Sequence, residues 1–223
     1  MSTHLLTGAG SGIGAVLARR LHDRGDSLVL LARSEERAAE LRAEYDRADV
    51  LVADLSWPES VESLVLPDEL DSVVHGAGVV EIGAVAELSI EDWAAQLRVN
   101  LVAPAALTRV ALPALRAARG TVVFVNSGAG LTAHPGWSAY AASKHGLRAL
   151  ADSLRAEESR LRVTTVYPGR TATPMQQKVH RQEGKEYDPA DWTRPETVAD
   201  AILHVLDLPR DATITDLTVR PGG

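Results

Sequence analysis

Four glycines within eight residues, Thr7-Gly8-Ala9-Gly10-Ser11-Gly12-Ile13-Gly14, stand between a short apolar run and an amphipathic stretch. Glycine lets the chain turn tightly and lets backbone approach a ligand closely. Where such a loop opens a helix, the unpaired N–H groups and the positive dipole end favour an anion. The spacing is T-G-x-x-x-G-x-G rather than G-x-G-x-x-G. A glycine loop alone is weak evidence, because a tight structural turn reads the same way. The strand–loop–helix context is what strengthens it.

That context recurs along the chain. Strands are expected at Ser2–Leu6, Ser27–Ala32, Val50–Ala53, Leu70–His75, Thr121–Asn126, Arg162–Val166 and Thr213–Val219. Ser27–Ala32 is almost continuously apolar, as a strand buried on both faces must be. Helices are expected at Gly14–Arg24, Glu35–Tyr45 with Ser34 as N-cap, Ile90–Leu115, Tyr140–Arg160 and Pro195–Leu206. Pro104 and Pro113 should bend or interrupt the long one. Strands alternating with helices imply right-handed crossovers. The fold class is therefore α/β: a Rossmann-type doubly wound parallel sheet in three α/β/α layers. The 223 residues suit one such domain, 1–223, without a second core. The segment 174–194 is charged, contains Gly184 and Pro189 and lacks a clean core face. It reads as a mobile lid, with a plain surface insertion as the alternative.

Composition excludes several function classes. The net charge of -7, with no basic stripe, argues against a nucleic-acid reader. The absence of cysteine removes disulfides, thiolate zinc sites and a cysteine nucleophile. The seven histidines show no metal-ligand spacing, so no metal is expected. No signal segment and no apolar run of about 20 residues is apparent, so a cytoplasmic protein without a membrane partner is expected. Asn126-Ser127-Gly128 lacks the G-x-S-x-G elbow of a serine hydrolase.

The second strand ends Leu31-Ala32-Arg33-Ser34, with no carboxylate to bind a ribose 2′-hydroxyl. Arg33 is placed to pair with a 2′-phosphate, or else is a solvated helix-entry residue. NADP(H) is therefore preferred as cofactor, with NAD(H) possible. Asp54, followed by Leu55, either accepts from an adenine amino group or caps the turn toward Pro58.

Tyr140-Ala141-Ala142-Ser143-Lys144 puts a phenol and an ammonium on one helical face. A cation about 4 Å away supplies roughly 4 kcal/mol at an effective dielectric near 20. This would lower a phenol pKa by at most about three, toward the range of a general acid/base. Ser127, thirteen residues earlier, falls at the carboxyl end of its strand, where ligands collect in open α/β sheets. The amide of Asn100 is positioned to organise a water beside Lys144.

Thr7–Gly14, Asp54, Asn100, Ser127, the Tyr140–Lys144 pair and Pro168-Gly169 occur in an order and spacing that resemble the classical short-chain dehydrogenases/reductases. The resemblance implies a catalytic set of Asn100, Ser127, Tyr140 and Lys144. Tyr140 would protonate a carbonyl oxygen as hydride reaches carbon, with Ser127 orienting that oxygen. Lys144 would also hold the nicotinamide ribose, and Asn100 would support a proton relay. It implies a cofactor set of Thr7, Gly8, Gly10, Ser11, Gly12, Ile13, Gly14, Arg33, Asp54, Leu55, Ala77, Gly78, Tyr140, Lys144, Pro168, Gly169, Thr171 and Thr173. It also implies a homodimer or homotetramer built on Leu97–Leu115 and Ala141–Leu154. One departure stands out. His75-Gly76-Ala77-Gly78 replaces the usual Asn-Asn-Ala-Gly, so an asparagine that braces the sheet is missing. His75 either contacts adenosine or satisfies a core hydrogen bond.

The expected reaction interconverts an alcohol with a ketone or aldehyde, the substrate being a small molecule. Gly128, Leu131, Trp137 and Met175 are the candidate substrate residues. An NAD-linked alcohol dehydrogenase and a dinucleotide-binding sensor without turnover are the competing readings.

Overall fold

A computed structural model describes residues 1–222. Its strands are β1 (Thr3–Thr7), β2 (Ser27–Ala32), β3 (Ala48–Val52), β4 (Ser72–His75), β5 (Thr121–Val125), β6 (Arg162–Pro168) and β7 (Asp216–Val219). They form one sheet in the order β3-β2-β1-β4-β5-β6-β7, every pairing parallel. The order reverses between β1 and β4, and the glycine loop leaves β1 at that point.

Side-chain alternation along the strands divides the core into two layers. Leu6, Leu28, Leu30, Val74, Val123 and Val166 pack beneath α1 (Gly12–Asp23), α2 (Glu35–Glu44) and a carboxyl-terminal helix at Pro195–Leu206. Leu5, Val29, Val73, Val122, Phe124 and Val163 face the opposite layer, which contains a helix at Ala103–Ala118 and another at Ser138–Glu157. Because β2 contributes to both layers, its apolar residues run without a break. The remaining helices complete the numbering: α3 (Ile90–Leu97), α4 (Ala103–Ala118), α5 (Ser138–Glu157), α6 (Pro174–Glu183) and α7 (Pro195–Leu206).

Two expectations need correction. Pro104 and Pro113 do not break the long helix. Ile90–Ala118 is continuous, with a π-helical turn at Arg98–Val102 immediately before Pro104. Pro104 has no N–H for the Asn100 carbonyl four residues back, and its ring crowds that carbonyl. The wider turn absorbs the mismatch. The same 29-residue stretch is, by length and composition, apolar enough to cross a membrane, contrary to the reading of the sequence. Here one face of its second half, including Leu107, Ala111 and Leu115, packs against the sheet.

The second correction concerns 174–194, which does have a core face. Thr173 accepts from the Gln176 N–H at 3.3 Å and caps α6. The helix buries Gln176, Val179 and His180, and Gly184 ends it with φ +66°.

His75 takes over the bracing role. Its Nε2 lies 2.9 Å from Thr108 Oγ1 on α4, and its ring stacks on Phe124 at 4.9 Å. The core hydrogen bond is thus the reading that holds. Burial pushes the imidazole down from 6.5 to about 3. The unfolded chain therefore binds a proton near pH 6.5 that the native chain refuses until about pH 3, so stability falls as pH falls through this window. At pH 4.5 the cost is roughly 2–3 kcal/mol. His75→Asn should remove that component. Urea unfolding at pH 7 and pH 4.5 should show the variant losing about 2–3 kcal/mol less than the parent. Equal losses would contradict the assignment.

Candidate active site

The glycine loop is shaped by steric contact. Gly8 has φ +77°, and a Cβ there would stand 2.7 Å from the Gly76 carbonyl carbon. A Cβ on Gly14 would overlap the Gly8 carbonyl oxygen. Thr7 Oγ1 accepts from the N–H groups of Gly76 and Ala77, both at 3.1 Å, and ties β1 to the end of β4. Ser11, the N-cap of α1, makes no capping bond with its side chain, and the first turn carries no acid. The first-turn N–H groups are thus left for an anion. Ile13 packs partly into the core, and Thr173 Cγ2 would touch a Cβ on Gly12 at 3.1 Å. The α6 cap therefore sits against the loop.

Arg33 is exposed and, among the described residues, has no hydrogen-bond or ion-pair partner. Arg37, which sequence reasoning missed, reaches across 27 positions to the Gly10 carbonyl and pairs with Glu40. A second guanidinium therefore covers the loop. Asp54 Oδ1 accepts from Ser56 N at 2.9 Å, so the carboxylate does cap its turn. Leu55 and Ala77 line a narrow crevice with Thr7, His75 and Val99.

Helix α5 begins at Ser138, two positions before the expected start, so Tyr140 is its third residue. It is only 6% exposed. Burial pushes its phenol up to about 12, eased by the Ser127 hydroxyl, and pushes the Lys144 ammonium down to about 8. The expected lowering of Tyr140 by Lys144 is absent here, because desolvation disfavours both charged forms. Lys144 Nζ lies 5.8 Å from the Tyr140 ring centroid and donates to the Val125 carbonyl at 3.0 Å.

The Asn100 side chain is fully buried and occupied. Its Oδ1 accepts from Val79 N at 2.8 Å, while Nδ2 donates to Val79 O at 2.9 Å and Ser143 Oγ at 3.0 Å. Both amide hydrogens are used, and one acceptor site of Oδ1 remains. The Asn100 carbonyl, opposite Pro104, is the group without an α-helical donor.

Two further residues missed by sequence reasoning complete the frame. Ser143 Oγ donates to the Tyr140 carbonyl at 2.7 Å. Asn126 donates to the Lys144 carbonyl at 3.0 Å and accepts from Ser127 N at 2.8 Å, joining β5 to α5. Asn126 reaches Lys144 18 positions on, and Ser143 receives from Asn100 43 positions back, so no local pattern announces these links.

Around Tyr140 lies an apolar lining. Val80, Ala129, Ala141 and Val179 are buried with it, and Ile82, Trp137 and Met175 pack against them. Two expected substrate residues, Trp137 and Met175, are therefore brought to Tyr140. Gly128 faces open space, and Leu131 is half-buried outside this cluster. Gly78 is close: a Cβ there would meet Met175 Cε at 3.7 Å and Lys144 Nζ at 3.8 Å. Beyond Pro168, Gly169 bonds to the Val219 carbonyl, and Thr171 Oγ1 bonds back to Gly169 O at 3.0 Å.

The chain matches the profile of the short chain dehydrogenase family over residues 2–184. It belongs to that family. This short-chain dehydrogenase is 32% identical to an uncharacterized short-chain type dehydrogenase/reductase of Sinorhizobium fredii, over 98% of this chain and 91% of the relative. It superposes on the alcohol dehydrogenase of the archaeon Thermococcus sibiricus complexed with 5-hydroxy-NADP. The TM-score is 0.86 at 28% identity, covering 99% of this chain and 96% of the other. With a serine dehydrogenase from Escherichia coli the TM-score is 0.82 at 26% identity, covering 98% and 97%.

Proposed function

We propose that this short-chain dehydrogenase is an NADP(H)-dependent oxidoreductase that interconverts a ketone or aldehyde with an alcohol, Tyr140 being the acid/base. The observation that carries the reading is the meeting of Tyr140, Ser127 and Lys144 at the carboxyl edge of the sheet beside the glycine loop.

The residues present fit a dinucleotide. Gly8 and Gly14 leave no room for side chains, and the uncapped start of α1 suits a pyrophosphate. Arg33, with no partner among the described residues, would take a 2′-phosphate, and the second carboxylate oxygen of Asp54 would face adenine. Thr171, Thr173, Pro168 and Gly169 would border the nicotinamide. When bound, that group supplies or accepts hydride. Burial keeps the Tyr140 phenol protonated, ready to give its proton to a reduced carbonyl. Ser127 would hold the carbonyl oxygen, Lys144 would bind the ribose, and the Asn100 carbonyl would hold a water that returns the proton from solvent. The NADP-type ligand of the Thermococcus alcohol dehydrogenase supports the cofactor choice.

The test is the hydride itself. Protein loaded with NADPH and mixed with a simple ketone should lose NADPH fluorescence in a single exponential and yield alcohol. Binding without oxidation across a panel of ketones and aldehydes would instead favour a sensor.

We propose a homodimer or homotetramer built on the helices around Leu97–Leu115 and Ala141–Leu154, and the exposed apolar positions of the helix Ile90–Ala118 support it. Its most apolar window is only 39% buried, and Ile90 and Val102 are 84% and 46% exposed. Light scattering should give two or four chain masses. We place the protein in the cytoplasm and assign it no nucleic-acid or membrane partner, the net charge of -7 supporting the absence of nucleic acid. Residues 174–194 serve as the lid.

A further inference from the structure

We propose that Glu183 is a specificity-determining residue that reserves the pocket for uncharged, apolar carbonyl compounds by neutralising Arg170 at its rim. The inference rests on the oxidoreductase reading above and names its substrate class.

Arg170 follows the Pro168-Gly169 turn and lies between two indoles. Its guanidinium carbon is 5.9 Å from the Trp137 ring and 5.4 Å from the Trp192 ring. Trp137 in turn meets the Tyr140 ring edge-on at 5.8 Å. A planar cation thus stands one side chain away from the phenol, where a substrate carboxylate would find it. Glu183, at the end of α6, occupies that cation with two bonds of 3.0 and 2.6 Å. Such paired geometry leaves the guanidinium little capacity for another anion.

Lys185 shares Glu183 at 3.3 Å but stays largely in solvent, where its charge is screened. The other charges at the rim are paired too. Lys178 donates to the Val80 carbonyl at 2.8 Å and to Glu81 at 2.7 Å. Gln182 bonds to the same Glu81. Lys144 donates to the Val125 carbonyl and is committed to the cofactor ribose. Val80, Ile82, Met175 and Val179 add apolar wall beside the phenol. A hydroxy amino acid or an oxo acid entering here would bury charge without a partner, which is costly. An uncharged ketone loses little on entry and gains apolar contact.

The experiment compares an aryl ketone with the same ketone bearing a ring carboxylate, in parent, Glu183→Gln and the double variant Arg170→Gln/Glu183→Gln. In the parent, kcat/KM should favour the uncharged ketone by about 100-fold or more. Glu183→Gln frees Arg170 and should shrink that preference at least about tenfold, chiefly by improving the carboxylate substrate. The double variant has neither charge and should restore the parental preference. Binding is read separately by quenching of tryptophan fluorescence in the NADPH-loaded Tyr140→Phe protein, where turnover is not needed. Discrimination in binding without any hydride transfer would support this proposal and overturn the oxidoreductase reading. Hydride transfer with equal use of both ketones by the parent, or an unchanged ratio in Glu183→Gln, would overturn this proposal alone. Should Glu183→Gln fail to fold, Glu183→Ala is read in the same way, and equal use of both ketones by the parent still overturns the proposal.

Discussion

Replacing Tyr140 with Phe should lower the rate of hydride transfer by about 10²–10⁴-fold while leaving NADPH affinity largely unchanged. The substitution removes one oxygen and little else. The ring keeps its edge contact with Trp137 and its packing among Val80 and Val179. The Ser143 hydroxyl bonds to the Tyr140 backbone carbonyl, so the helix turn is untouched. What disappears is the phenol proton held beside Ser127. Single-turnover fluorescence measures the step directly, and a direct titration with NADPH measures the affinity. A variant that transfers hydride at close to the parental rate would show that another group moves the proton.

The second large effect is expected from Gly14→Ala. The added methyl would overlap the Gly8 carbonyl oxygen, and Gly8 cannot retreat because its own α-carbon is packed against Gly76. The loop must therefore open. A loss of about 3 kcal/mol in stability is expected, with NADPH binding abolished. Gly25→Ala provides the comparison. That glycine also has a positive φ, +90°, but a Cβ there has nothing within 4 Å. Only the backbone strain remains, about 1–2 kcal/mol, with NADPH binding retained. Urea unfolding and fluorescence titration of the two variants separate steric from conformational cost. Equal effects from both would contradict the close-packed loop.

The legibility of this fold in its sequence depended on how local each determinant is. β2 and α7 were read to the residue, Ser27–Ala32 and Pro195–Leu206, because charge and proline bound them on the chain itself. The Ser34 cap was legible for the same reason. The π turn before Pro104 was not, since it depends on how the whole helix lies against the sheet. Nor was α6, whose buried face is Gln176, Val179 and His180, with the two polar residues bonded to each other at 2.9 Å. In the site, the tyrosine, lysine and glycines announce themselves by spacing. Arg37, Asn126, Ser143 and Glu183 act through partners between 3 and 27 positions away, in contacts that only the folded chain creates. The Asn100 amide lies between. Its residue type was legible, but not that Val79 and Ser143 take its hydrogens.

The most direct test is titration of the protein with NADPH and NADH at fixed salt, alongside Arg33→Ala. NADPH should bind about ten- to 100-fold more tightly than NADH, the margin expected of charge-assisted bonds to the 2′-phosphate. Arg33→Ala should erase most of that margin by weakening NADPH alone. Tighter binding of NADH, or no binding of either dinucleotide, would contradict the account.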